Sequence, residues 1–477
     1  MTMPRGWLAW MSLALAAGVA IAFEPGPWQL VLAAAATLLL SRDPRLGPLP
    51  AAMLVVLALP YDRAANNDLL RIAGLPLRPQ DMAIGLGVVL ALPYLRWPRV
   101  SAPLVAIAAF LAVGVGALWV GYVSDYPLRD VFRDARWWFM YATGLLALAT
   151  SVRRSQVLRA LLWGSVVFAL IALATTVLPP FPGGLKERSL IFDIGTLRMQ
   201  FGNSIFLLPA LALALWQFLR SPNLSRGALA WLLMVAVTLS LTRTYVAVVA
   251  LSGLAVLVVA ALTSPRPGAL ARSVAAGGVL VLALVGGIGL NLGHSVVGDT
   301  LSRLMPVPSD PPTRAPGVSA IDRFLFEGER AGVGPIVQGR FATYASAVNV
   351  ILRSPLTGLG LGTLVEVEYA FGGDPFATPG YLPNVDNAYL TVGLKAGAVG
   401  IAAFAAMLLS LPLALLRERR LRRLAPWLLP ALGGVLVLTL TQSFATTGYS
   451  PFGLSLLLVL GGLGYASSNA ARARAQE

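Results

Sequence analysis

Apolar residues dominate this chain in long runs, and short connectors bearing Arg and Pro separate them. A helix needs about 17 to 25 residues to cross a bilayer. The pattern predicts fourteen spans, at 7–23, 27–41, 48–60, 82–95, 102–121, 135–152, 157–179, 201–220, 226–242, 244–263, 271–292, 387–416, 425–444 and 451–469, with boundaries read to within a few residues. The expected fold is therefore an all-α polytopic membrane protein of about 14 transmembrane helices (12 to 14). The first run, "WLAWMSLALAAGVAIAF" after Arg5, reads as an uncleaved first helix because further spans follow it. The pattern changes once, where charges, Pro and Gly rise and no spanning run occurs. This divides an N-terminal transmembrane bundle (1–292) from an extracytoplasmic loop (293–386) and C-terminal transmembrane helices (387–477).

A structureless loop of that length is uncommon, so it should contain elements of its own. One is legible in "GRFATYASAVNVILRSP", where Phe341, Tyr344, Ala345, Val348, Ile351 and Leu352 recur at helical spacing. Arg340 and Arg353 bracket this segment and Pro355 stops it, which predicts an amphipathic helix on the outer membrane surface. The next stretch, "TGLGLGT", lacks the strand-turn-helix context of a dinucleotide loop. A hinge or a close approach to a ligand is expected there instead.

Composition agrees with the pattern, since 57% of the 477 residues are hydrophobic and 12% charged, against roughly 25% charged in an average soluble domain. Without cysteine and with His294 as the single histidine, disulfide, thiolate and histidine-cluster chemistry are excluded. The net charge of +15 suggests nucleic acid until it is located. With a cytoplasmic N-terminus, the inner connectors carry 19 of the 36 basic residues and only Asp43, Glu418 and Glu477 as acids. That asymmetry is the positive-inside signature. It points to the cytoplasmic membrane with both termini inside and a lipid bilayer as partner, and no nucleic acid.

Charges at the outer ends of spans need a reason, because an arginine at bilayer depth costs about 2.5 to 3.5 kcal/mol on insertion scales. Three stretches qualify: "LRDVFRDARWW" with Asp130, Arg133, Asp134 and Arg136; "TLRMQFGNS" with Arg198 and Asn203; and "SLTRTYVAV" with Arg243. Arg243 has almost no loop around it. It is either a snorkelling residue on lipid phosphate or part of a cradle whose guanidinium fork grips a phosphorylated lipid. Trp137 and Trp138 suit an interfacial belt, and Asp130 or Asp134 can pair with neighbouring cations. In "PNVDNAYLTVGLKAGAVG", Asp386 and Asn387 are natural helix N-caps. A carboxylate beside several arginines is also a candidate general base.

The run "GRFATYASAVNVILRSPLTGLGLG", then "DNAYLTVGLKAGAVG", with "SLTRTYVAV" upstream, resembles the O-antigen ligase and polymerase superfamily over roughly residues 190–410. The resemblance implies a multi-helix membrane glycosyltransferase of GT-C-like architecture that takes a glycan from a polyprenyl diphosphate carrier on the outer face. Arg243 matches the family's Ser-Arg-Gly arginine, with Thr in both flanking positions here, and Arg340 matches the arginine opening the loop helix. Arg198 matches the arginine ahead of an Asn-containing span. The family's ligases have histidine where this chain has Asp386, which favours polymerase-type members.

Carried onto this chain, the resemblance makes Asp386 and Arg340 catalytic and gives Arg198, Arg243 and Arg340 the diphosphate. Asn387, Tyr344, Asn203 and Arg136 would support them. A departing diphosphate must be stabilised by metal or by preorganised cations. The chain has no Asp-x-Asp pair, so neither metal nor cofactor is expected. Expected partners are a carrier-linked oligosaccharide, a glycan or lipid acceptor, and a chain-length regulator. Alternatives are a ligase acting on a lipid or protein acceptor and, in another class, a transporter or lipid flippase. The transporter reading is weakened by the lack of an internal repeat and of any ionisable residue expected in mid-span.

Overall fold

The structure is a computed structural model. It describes residues 28–59, 71–72, 75–98, 100–150, 152–177, 205–239, 243–263, 344–367, 380–382, 384–385, 387–417, 426–441 and 449–461, with a few isolated positions between them. Its helices are α1 (Trp28–Ser41), α2 (Pro48–Ala58), α3 (Pro79–Ala91), α4 (Ala102–Val123), α5 (Leu128–Met140), α6 (Ala142–Leu148) and α7 (Arg154–Val177). They continue as α8 (Leu207–Arg220), α9 (Leu224–Leu239), α10 (Arg243–Thr263), α11 (344–351), α12 (Ala388–Arg417), α13 (Leu428–Thr441) and α14 (Ser450–Leu458). Two antiparallel ribbons complete the description: β1 (Arg71–Ile72) with β2 (Leu75–Pro76), and β3 (Val365–Val367) with β4 (Gly380–Leu382).

The expectation of 12 to 14 spans is corrected. Among the described residues, only α4, the Arg154–Ile171 part of α7 and α12 are long and apolar enough to cross a membrane. The other apolar runs on described residues are helical, with apolar stretches of 10 to 17 residues, as at Val248–Leu262 within α10. In α2, 11 residues long, every side chain from Leu49 to Ala58 is buried. At 1.5 Å per residue such a helix reaches only about half of a 30 Å hydrocarbon layer, and a helix apolar all round belongs to a protein core. The run expected at 135–152 is divided at Tyr141 into the end of α5 and the seven-residue α6. The runs at 7–23 and 271–292 lie outside the described residues, apart from isolated positions in the second.

Helix α2 packs against α7, α3 and α1, α8 against α9, α10 against α13, and α12 along α4. The α4–α5 contact shows why small residues recur at these interfaces. Gly114 leaves room for the Trp138 indole, which would lie 2.1 Å from any added Cβ. Trp138 stacks on Phe110 with ring centroids 4.4 Å apart and donates its Nε1–H to the Phe110 carbonyl at 3.0 Å. Between α4 and α5 the chain reverses through Asp125, whose φ of 54° an aspartate tolerates better than most residues.

Within the long connector, α11 turns Tyr344, Ala347 and Ile351 toward a small core shared with Val365, Val385 and Leu394. Val348 on the same helix and Leu352 just past its end are exposed. The apolar stripe read from the sequence is thus divided between a protein-facing and an outward-facing half.

Candidate functional site

The glycine stretch after α11 is a close approach of backbone to backbone. Gly358, Gly360 and Gly362 have φ of 68°, 92° and 94°, the left-handed region that favours glycine. A Cβ on Gly358 would lie 2.4 Å from the Ala396 nitrogen, and one on Gly360 would lie 2.3 Å from the Gly121 nitrogen of α4. This loop fills a break in α12. At Gly397 (φ 61°, ψ −158°) the helix is interrupted, so carbonyls before the break and amides after it lose their helical partners. The loop supplies them. Leu359 and Gly360 donate to the carbonyls of Leu394 and Lys395 at 3.0 Å each, while Ala398 and Val399 donate to those of Pro355 and Leu356 at 2.8 and 3.3 Å. Leu361 donates to the Ala117 carbonyl of α4 at 2.9 Å, tying the loop to a second helix. The hinge expectation is therefore replaced by a fixed junction.

An ion pair lies beneath the loop. Lys395 Nζ is 2.6 Å from Asp134 Oδ2, with both side chains 0% exposed. Asp134 Oδ2 also accepts the Gly362 N–H at 2.8 Å, and Lys395 donates to the Thr363 carbonyl. Each charge thus meets its counterion and a backbone group of the adjacent residues Gly362 and Thr363, the arrangement that makes a buried pair tolerable. Lys395 corrects the expectation that the last long runs hold no ionisable residue in their interior. Its charge is met there by Asp134.

At the mouth of α12, Asn387 is the cap. Its Oδ1 accepts the Leu390 N–H at 3.0 Å, and its Nδ2 donates to the Leu440 carbonyl near the end of α13 at 2.8 Å. Thr391 Oγ1 accepts the Val385 N–H and donates to the Val385 carbonyl at 3.0 and 3.1 Å, folding the incoming chain against the first turn. Among the described residues, the buried Asn384 Oδ1 has no hydrogen-bond partner.

The charged face of α5 serves several contacts. Arg133 pairs with Asp130 at 2.6 Å and more loosely with Asp134 at 3.4 Å. Arg136 grips Asp81 through Nε at 2.9 Å and through Nη2, and the same Nη2 donates to the Tyr449 hydroxyl. Its guanidinium carbon lies 5.1 Å from the centre of the Tyr449 ring. Asp81 additionally accepts the Arg78 N–H at 2.9 Å, capping α3. Arg136 is thus a clamp joining α3, α5 and the start of α14, a contact that does not lead to Asn387.

Of the residues expected to form the site, Asn387, Tyr344 and Arg136 are described with their side chains, and Arg243 opens α10. Arg198, Asn203, Arg340 and Asp386 lie outside the described residues. Asn387 and Tyr344 border one assembly, since Tyr344 packs on the small core that includes Val385 and Leu394. The Asp134–Lys395 pair was missed as a site. Its signals were a lone lysine in an apolar run and glycines at alternate positions in "TGLGLGT".

The described elements from α10 through the glycine loop to the upper half of α12 follow one another in the order the sequence motifs suggest. Residues 228–405 match a family model described as an O-antigen ligase. The matched range includes Arg243, Arg340, the glycine loop, Asp386, Asn387 and Lys395, whereas Arg198, Asn203, Asp134 and Arg136 precede it. The described part of the matched range is thus tied to the N-terminal helices through Asp134 and through the Leu361–Ala117 bond. A comparison with curated proteins returned no match. The domain supports a ligase- or polymerase-type enzymatic role in general terms, and the long apolar helices support membrane association.

Proposed function

We propose that this protein is a membrane glycosyltransferase that polymerises, or transfers, oligosaccharide repeat units from a polyprenyl diphosphate carrier on the outer face of the cytoplasmic membrane, without a metal. The observation that carries the reading is the O-antigen ligase match at 228–405, a range within which Arg243, Arg340 and Asp386 fall. In the reaction, the bond between the anomeric carbon and the carrier phosphate oxygen breaks and a bond to an acceptor hydroxyl oxygen forms. Arg198, Arg243 and Arg340 offset the charge gathering on the diphosphate, and Asp386 takes the acceptor proton. Asn387 already supplies the helix cap, which weakens capping as the reason for the Asp386 carboxylate.

Asp386 in place of the family ligases' histidine favours polymerisation; the matched family is described as an O-antigen ligase, which keeps transfer to a separate acceptor as the second reading. Purified protein incubated with carrier-linked repeats separates them. A ladder of carrier-linked lengths, persisting in EDTA, is the expected product. Transfer only onto a supplied lipid or protein would make it a ligase, and intact substrate in every arm would overturn the enzyme reading in favour of transport.

A further inference from the structure

The buried pair under the glycine loop belongs to none of the roles above, yet it joins the three segments that meet at the break of α12. Asp134 comes from α5, Gly362 and Thr363 from the loop that follows α11, and Lys395 from the last turn before the break in α12. Asn387 and Lys395 lie on the same short helical piece, 388–396, between the cap and the break. The two are eight positions apart, so this piece turns as a unit and carries Asn387 with it. Two sets of contacts fix its position: the Asn387 bond to α13 at one end, and the loop and ion pair at the other.

We propose that Asp134 and Lys395 are positioning residues: through directed hydrogen bonds to the Gly362 N–H and the Thr363 carbonyl they lock the glycine loop into the break of α12, and so set where the Asn387 end of that helix stands. This rests on the proposed transferase activity for its kinetic consequence, but not for its structural one. The pair acts by hydrogen-bond direction, with an acceptor presented to an N–H and a donor to a C=O. A neutral pair of the same polarity therefore serves, and an apolar pair of similar size does not.

Three proteins test this in detergent. Asp134→Leu/Lys395→Met removes both charges together and leaves no unpaired ion, the change that buried pairs tolerate best. Asp134→Asn/Lys395→Gln keeps an acceptor for Gly362 and a donor for Thr363. The natural chain has no cysteine, so Leu356→Cys, at an exposed position beside the loop, provides a single nitroxide site in each background. The expected result is an immobilised label in the otherwise natural chain, a mobile one in the Leu/Met variant, and recovery in the Asn/Gln variant. Turnover of carrier-linked glycan should fall in the Leu/Met variant by roughly a hundredfold, the scale of an ångström-sized misplacement, with KM little changed, and should largely return in the Asn/Gln variant.

Equal label mobility in all three proteins, or a loosened loop with unchanged kcat, overturns the proposal. If the Leu/Met variant does not fold, Gly362→Ala replaces it. Its Cβ would come 2.9 Å from Val131 Cγ2 and displace the loop with both charges in place, and the same mobile label and kcat loss are expected. If the natural chain transfers nothing, the transferase reading falls while the label spectra still decide whether the pair holds the loop.

Discussion

Gly360→Ala tests the junction between the glycine loop and the helices by a change of one carbon. The new Cβ would lie 2.3 Å from the Gly121 nitrogen and 2.7 Å from its Cα, both backbone atoms of α4 that cannot swing aside. The loop must retreat by about 1 Å to reach an ordinary contact distance. Retreat breaks the Gly360–Lys395 and Leu361–Ala117 backbone bonds, now 3.0 and 2.9 Å. Each buried polar group left unsatisfied costs about 1–3 kcal/mol, and an alanine held at φ near 92° adds about 1–2 kcal/mol. Counting one group per bond, the loss is therefore about 3–8 kcal/mol, capped by the cost of releasing the loop altogether. Gly116→Ala is the control, because the same chemical change on α4 meets nothing within 4 Å and gains up to about 1 kcal/mol of helix propensity. The assay is the thermal midpoint of each detergent-purified protein followed by tryptophan fluorescence. A Gly360→Ala midpoint equal to that of Gly116→Ala would refute the close-packed junction.

Arg243→Ala should lower turnover by roughly a hundredfold to a thousandfold, the cost of removing one preorganised donor from a developing charge, with an unchanged thermal midpoint; turnover near that of the natural protein would return Arg243 to a lipid anchor. Asp386→Asn keeps the size of the side chain and removes the base, so turnover should fall by about two to four orders of magnitude while carrier binding persists, and an unaltered rate would end its assignment as base. Arg136→Met should destabilise by about 1–3 kcal/mol through loss of its charge-assisted bonds to Asp81 and Tyr449. Its thermal midpoint falls and KM does not, whereas a selective rise in KM would restore Arg136 to the substrate site.

The positions of the helices were largely legible, because long apolar runs bounded by Arg, Pro and Gly leave few other conformations. Their relation to a membrane was not. Hydropathy measures how apolar a segment is without telling lipid from protein as its neighbour, and α2, buried on every side, reads like a span for that reason. The break in α12 was hidden because Gly397 sits in a run of small residues that helices also tolerate, and only the loop that fills it makes the interruption stable. Asp134 looked like a partner for its neighbour Arg133, and that contact exists at 3.4 Å. Its closer partner, Lys395, is remote in sequence, and no periodicity connects the two. Asn387 was legible as a cap because an amide before a helix has a local role, whereas assembling Arg198, Arg243 and Arg340 around a diphosphate is a tertiary arrangement that spacing alone does not encode.

The most direct test of the account counts carrier release against bond formation. Purified protein is given polyprenyl-diphosphate oligosaccharide in detergent, where no leaflet separates substrate from product, and free polyprenyl diphosphate is measured alongside new glycosidic bonds. The account predicts one carrier released for each bond formed, with both lost in Arg243→Ala. Substrate recovered intact with no carrier released would contradict it.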